Sequence, residues 1–271
     1  MKKRMMLYFG SFNPIHRGHV ALAEYVVAKG LCDEVALIIS PQSPYKQTMA
    51  LAPETDRFEL AEMACKASRY PEVIRPSVVE FLLPKPSYTI DTLRYLEEVC
   101  GAQMEFSILM GADQLDRLDG WKEYERILEY PIYAYPRQGE TMPERWEGRI
   151  TMLTDAPLQN FSSTEVRSAI ERGDDTSKMI TEECADYIRK KGLWSISSQI
   201  VALNARLDAD PDNVDFLLQR GQLHYRRNDW GAAINDFNRI LKINPQHQEA
   251  HQLLDMVQEI LSFRYKDIYN P

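Results

Sequence analysis

The chain has 271 residues, 44% hydrophobic and 27% charged, which is ordinary globular composition with length for one large core and a smaller unit. Its net charge of −8, from 32 basic and 40 acidic residues, excludes a general nucleic-acid binder, which would carry a basic excess. A small phosphate ligand needs only a local cluster and backbone N–H groups, so that class stays open.

The chain opens on Lys2-Lys3-Arg4, but the apolar run at 5–9 is too short for the core of a signal peptide. No stretch approaches the ~18 apolar residues of a membrane span, so no membrane partner and a cytoplasmic location are expected. Cys32, Cys65, Cys100 and Cys184 form no C-x-x-C pair and read as free thiols in a reducing compartment.

Residues 5–9 are continuously apolar and end at Gly10, the pattern of a strand buried on both faces. A loop and a helix over 18–29 follow, and 35–39 is a second buried strand. Pro53 suits the first turn of a helix continuing over 55–68. Strands are predicted at 78–83, 106–110, 132–135 and 150–153, and helices at 91–100 and 121–128. Strands alternating with helices mean βαβ units, a parallel sheet and right-handed crossovers. Ligands of such sheets bind beyond the carboxyl ends of the strands, so the loops after Phe9, Ile39 and Met110 are the places to look.

The first of those loops reads Gly10-Ser11-Phe12-Asn13-Pro14-Ile15-His16-Arg17-Gly18-His19. Gly10 permits a sharp turn after the strand, and Gly18 permits a ligand to approach the helix start. The unsatisfied N–H groups of that start, with the positive end of the helix dipole behind them, make an anion site. His16 and His19 add side-chain donors there.

Four other segments carry polar groups in patterns that chemistry can use. Ser162 and Glu165 have capping-box spacing, while Ser162, Ser163 and Thr164 with Arg167 one turn in also make a phosphate cradle. In Ser87-Tyr88-Thr89-Ile90-Asp91-Thr92, Thr89 can cap a helix whose start would favour a carboxylate. Gly111-Ala112-Asp113 precedes Trp121; Asp113 caps a helix or faces a ribose, and Trp121 is core or a flat platform for a ring. Lys46 lies in Pro41-Gln42-Ser43-Pro44-Tyr45-Lys46, at the carboxyl end of the second strand. Arg57 and Arg137 are weaker candidates, for which a solvated or ion-paired surface role serves equally well.

The glycine-histidine loop resembles the H-x-G-H signature of the adenylyl- and cytidylyltransferases, and its flanks resemble the bacterial nicotinate mononucleotide adenylyltransferases, with Asn13 where many members have Asp. The 161–167 run is similar to the family's I-S-S-T-x-[IV]-R motif, the 87–93 run to S-Y-T-x-D-T-L, and Gly111 to Trp121 to its G-x-D…W pattern. Tyr45 stands where the family often has His.

The resemblance implies a Rossmann-like, doubly wound sheet of the nucleotidyltransferase type, and adenylyl transfer from ATP to nicotinate mononucleotide. It places His16 and His19 on the reacting phosphate. Gly10, Ser11, Phe12, Gly18, Gly111, Asp113, Ser162, Ser163, Thr164 and Arg167 fall to ATP, and Asn13, Lys46, Tyr88, Thr89 and Trp121 to the acceptor. Mg²⁺ is expected to ride on the triphosphate. Nicotinamide mononucleotide and phosphopantetheine are the alternative acceptors, and an interaction protein carrying an inactive transferase domain is the alternative of another class.

Near Trp194 the pattern changes, with Ser195 to Ser198 as a short junction. The expected division is a catalytic domain over 1–195 and a helical one over 196–271. Leu217, Gly221, Ala233, Phe237 and Pro245 match tetratricopeptide spacing over one full unit, with His224 where Tyr is usual. One unit is short of a stable array. The segment is therefore expected to pack on the catalytic domain or on a second subunit, or to offer a peptide-binding groove.

Overall fold

The computed structural model describes residues 2–41, 51–137, 142–157 and 161–266. The chain divides into two compact units, Met1–Lys190 and Lys191–Pro271.

The first unit is built on six strands: β1 (Lys3–Gly10), β2 (Glu34–Ile39), β3 (Ile74–Ser77), β4 (Met104–Gly111), β5 (Ile132–Tyr135) and β6 (Ile150–Met152). They form one sheet in the order β3-β2-β1-β4-β5-β6, every neighbouring pair parallel. The central strands are apolar on both faces because helices cover both: Leu7, Leu37 and Leu109 are fully buried. The strand order reverses between β1 and β4, so the loops after these two strands diverge and leave a crevice at that edge.

Helices α1 (Arg17–Ala28), α2 (Glu54–Lys66), α3 (Thr89–Cys100), α4 (Tyr124–Ile127), α5 (Ser163–Arg172) and α6 (Glu182–Lys191) accompany the sheet. Ser162 caps α5 through the full capping box, its hydroxyl accepting from Glu165 N–H while Glu165 accepts from Ser162 N–H.

The structure corrects several expected elements. Residues 78–83 are not a strand; β3 ends at Ser77 and a 3-10 helix runs over Val79–Leu82. In that turn Val79 and Glu80 are both buried while Leu82 is 70% exposed, a distribution no alternating strand gives. Thr89 is not a cap but the first residue of α3, with Tyr88 in the capping position. Of the predicted 121–128 helix only the single turn of α4 forms, and a 3-10 helix over Ala112–Gly120 precedes it. Helix α6 had no counterpart in the sequence reading, because its buried side is only Cys184 and Ile188.

The second unit is all helix: α7 (Ile196–Ala209), α8 (Val214–Arg226), α9 (Trp230–Ile243) and α10 (Gln248–Lys266). Ser195 is not a junction residue but the cap of α7, accepting from Ser198 N–H; Asn213 and Asp229 cap α8 and α9 in the same way. Leu217, Ala233, Phe237, Ile240, Ala250 and Val257 form its core. A Cβ on Gly221 would lie 2.5 Å from the Phe237 ring, so glycine is what lets α8 and α9 approach. Arg220 holds the buried Asp236 with both guanidinium arms, at 2.9 and 2.6 Å. The arrangement is compatible with a tetratricopeptide-like unit. Among the described residues no helix is long and apolar enough to cross a membrane.

Candidate active site

The site begins where β1 ends. Gly10 stays within the strand, and the strained turn falls instead on Phe12, whose φ of 42° is in the left-handed region that a bulky residue seldom adopts. Its ring holds that backbone in place: it is buried, packs edge-on against Tyr8 at 5.5 Å and against His19 at 5.0 Å. Gly10 is needed for space, since a Cβ there would sit 3.0 Å from the Phe12 ring.

His16, in extended conformation, precedes α1, and Gly18 and His19 lie in its first turn, which has no acidic residue. The two imidazoles stack with centroids 3.6 Å apart and planes 26° from parallel. His19 Nδ1 accepts from the His16 backbone N–H at 3.2 Å. In the neutral ring the proton therefore sits on His19 Nε2, which makes that atom a donor. His16 is buried, and burial, helped by the Arg137 charge, pushes its pKa down to about 3, so it is an uncharged imidazole at neutral pH.

Arg57 fixes the loops. It is fully buried on the inner face of α2 and donates to the carbonyls of Ser11 (2.6 Å), Ser40 (2.8 Å), Ala52 (3.0 Å) and Pro41 (3.3 Å). It is thus neither solvated nor ion-paired at the surface, as the sequence allowed. Burial pushes its pKa down to about 10, which still leaves it charged.

The start of α5 closes on the same loop. Arg167 Nη1 donates to the Asn13 carbonyl at 2.7 Å and Nη2 to Thr164 Oγ1 at 3.1 Å. Ser163 Oγ donates to the Pro14 carbonyl at 2.9 Å. The Asn13 side chain accepts from Ala52 N–H at 3.0 Å. Phe161 meets the His16 ring edge-on at 5.3 Å. Asn13, His16, His19, Ser163 and Arg167 therefore form one cluster.

At the end of β4, Asp113 pairs with Arg137 at 3.5 Å, and Arg137 reaches the Tyr135 hydroxyl, itself bonded to Tyr8 at 3.1 Å. A Cβ on Gly111 would press on the Asp113 carboxylate and lie 3.2 and 3.3 Å from Arg137 Nε and the Tyr135 hydroxyl, so a side chain there would disturb this network. Beside this network lies a cavity of about 240 Å³, whose walls include Gly10, Ser11, Tyr88, Thr89, Asp113 and Trp121. Lys122 sits 4.9 Å above the Tyr88 ring and bonds Asp91 at 2.8 and 2.9 Å. Lys46 and Tyr45 lie outside the described residues.

Residues 7–169 match the cytidylyltransferase-like family model. A Cytophaga hutchinsonii protein named "probable nicotinate-nucleotide adenylyltransferase" is 36% identical over 190 residues, which are 70% of this chain and 97% of the relative. The chain belongs to this family.

A Bacteroides thetaiotaomicron relative of the same name is also 36% identical over 190 residues, 70% of this chain and 92% of its own length. The family fold is shared with the Plasmodium falciparum nicotinic acid mononucleotide adenylyltransferase solved with NaAD, at a TM-score of 0.62 and 20% identity over 71% of this chain and 97% of that one. Nearly a third of this family member thus has no counterpart in those relatives.

Sequence reasoning missed Glu80, Lys122 and Arg117, which share the cavity wall, and undervalued Arg57. Two signals were available. Arg57 interrupts the helical stripe of Leu60, Ala61 and Ala64, and Glu80 interrupts the apolar run from Val78 to Leu83. A charge inside an apolar face either breaks the element or is buried for a purpose.

Proposed function

We infer that this enzyme transfers the adenylyl group of ATP to nicotinate mononucleotide, giving deamido-NAD and pyrophosphate. One observation carries the reading most directly. The His16–His19 helix start and the Arg167 helix start are bonded together through Asn13, beside a cavity with polar and aromatic walls sized for a nucleotide base.

In the reaction an acceptor phosphate oxygen attacks the α-phosphorus of ATP, and the bond to the bridging oxygen of the leaving pyrophosphate breaks. The attacking oxygen is already anionic, so no general base is needed. Alignment of two bound reactants can supply roughly 7–11 kcal/mol. The His19 Nε2–H and the Gly18 N–H at the start of α1 receive charge at the α-phosphate, and a single donor of this kind supplies about 3–4 kcal/mol. His16, neutral and stacked on His19, shares that role.

Arg167, Thr164 and the N–H groups at the start of α5 hold the leaving phosphates, with Ser162 and Ser163 keeping that start in place. Gly10, Ser11, Phe12, Gly18, Gly111 and Asp113 complete the ATP side. Tyr88, Thr89 and Trp121 take the pyridine nucleotide, with Asn13 shaping the loop and Lys46 contributing a cation. Mg²⁺ would be carried by the triphosphate and would neutralise part of its charge.

Pyrophosphate release from ATP with nicotinate mononucleotide tests the function. Faster turnover with the amide nucleotide would instead favour nicotinamide mononucleotide as acceptor. Every residue given a role lies within Met1–Lys190. For the helical unit we propose docking to a second copy or to a peptide. Truncation near residue 195 that leaves the oligomeric state and melting temperature unchanged would remove docking to a second copy.

A further inference from the structure

Tyr88 and Trp121 are aromatic walls of one cavity but belong to separate segments: Tyr88 precedes α3, and Trp121 follows the 3-10 helix over Ala112–Gly120. Lys122, itself on the cavity wall, ties these segments together across 31 positions of sequence. Its Nζ donates to both carboxylate oxygens of Asp91, in the first turn of α3, at 2.9 and 2.8 Å. The same nitrogen stands 4.9 Å from the centre of the Tyr88 ring, within reach of a cation–π contact. Arg94, on α3, makes a second tie. It lies 3.9 Å from the Asp91 carboxylate and donates from Nη1 to Glu123 Oε1 at 3.0 Å. Glu123 has a φ of 50°, in the left-handed region, and such a backbone persists only where its surroundings hold it.

We propose that Lys122 is a positioning residue for the acceptor, holding Tyr88 and the start of α3 against the segment of Trp121 so that the pyridine ring enters a slot already formed. This rests on the reading of the cavity as the acceptor's. The Lys122–Asp91 pair is open to solvent, with 42% and 33% of the two side chains exposed, and a pair of that kind adds little to fold stability. Its place gives it a use instead. Aromatic walls that must be ordered as a ligand binds lower its affinity, and walls ordered beforehand do not. The Lys122 charge is met by Asp91, so its effect reaches the ring through the walls and does not depend on the acid group that the ring carries. ATP, placed on the loop after β1 and the start of α5, lies outside its reach.

The test uses the full chain with ATP and nicotinate mononucleotide, and with an analogue bearing hydrogen in place of the ring carboxylate as competitor. K122M raises KM for nicotinate mononucleotide and the inhibition constant of the analogue alike, by roughly 3- to 10-fold, the penalty for ordering one or two side chains on binding. KM for ATP and the melting temperature stay near their wild-type values. K122R keeps a cation on Asp91 and over Tyr88 and restores the acceptor KM. D91N also raises it, and K122M/D91N is no worse than K122M, because both substitutions break the same tie.

A penalty on the acid nucleotide alone would make Lys122 a direct partner of the carboxylate and overturns the proposal. So do additive effects in the double variant, an equal rise in KM for ATP, or an analogue that does not compete in the wild type. Where K122M does not fold, D91N carries the same comparison between acid and analogue. Wild-type protein that releases no pyrophosphate with nicotinate mononucleotide overturns the acceptor reading and this proposal together. Turnover with an unchanged acceptor KM in K122M overturns the proposal alone.

Discussion

Arg167 donates to the backbone carbonyl of Asn13 at 2.7 Å, across 154 positions of sequence. That bond joins the loop after β1 to the first turn of α5, so two helix N-termini are held in one geometry. A single helix start is a general anion site. Two held at fixed separation can grip both ends of a breaking phosphate bond, and the rigidity of the pair decides how well.

Arg167→Lys keeps the charge but cannot span the Asn13 carbonyl and Thr164 Oγ1 at once. It is expected to raise KM for ATP and lower kcat together, with kcat/KM falling roughly 10- to 100-fold. Thr164→Val removes only the second partner and should cost less. Equal effects of the two substitutions in steady-state kinetics would place the function of Arg167 in the fold alone.

His19→Ala removes the Nε2 donor and the partner of the His16 backbone N–H. The expected result is a fall in kcat of about 10²–10³ with little change in either KM, as for the loss of one oxyanion donor. A rise in KM with kcat unchanged would assign His19 to ground-state binding instead.

Arg57→Met leaves the carbonyls of Ser11, Ser40, Pro41 and Ala52 without their donor in the interior. The expected destabilisation is about 3–5 kcal/mol, read from urea unfolding of the first unit, with activity lost in proportion to loop order. Arg57→Lys should recover part of it, because the charge returns but not the fork that reaches four carbonyls.

The parallel sheet was legible because its central strands are apolar runs that end in glycine or polar loops, as at Phe9-Gly10 and Met110-Gly111. The phosphate-facing loops were legible for the reason that they are local: Gly10 to His19 and Ser162 to Arg167 each carry their chemistry within ten residues. What escaped was non-local. β3 contains Pro76, which is tolerated there because β3 is an edge strand, and nothing in the sequence says which strand lies at an edge. Residues 78–83 have the composition of a strand, yet the bond from Thr92 to Glu80 holds them in a 3-10 turn. Arg57 reads as a surface cation until the loop carbonyls it serves are seen together.

Gly221→Ala puts a methyl group 2.5 Å from the Phe237 ring, and Phe237 is fully buried in the core of the helical unit. Overpacking of this kind costs about 1–3 kcal/mol. The loss should appear in the melting of α7–α10 and leave adenylyl transfer at its wild-type rate. Calorimetry alongside a pyrophosphate assay separates the two; a parallel loss of activity would show that the helical unit supports catalysis.

His16 supplies the pH dependence. Its folded-state pKa is about 3 against 6.5 for the free side chain, so between these values the unfolded chain binds a proton that the folded one does not. Stability therefore rises with pH across that window and is progressively lost as pH falls below 6.5. Above 6.5 the ring is neutral in both states and contributes nothing to the slope. His16→Asn keeps a residue suited to precede α1 and removes the titration. Its melting temperature should fall less than that of the wild type between pH 6.5 and 4, with the two curves parallel at higher pH. Other titrating groups are common to both proteins and cancel in the difference. Curves that stay parallel throughout would mean that the ring is protonated in place, and the neutral donor assigned to the reacting phosphate would have to be replaced by a cation.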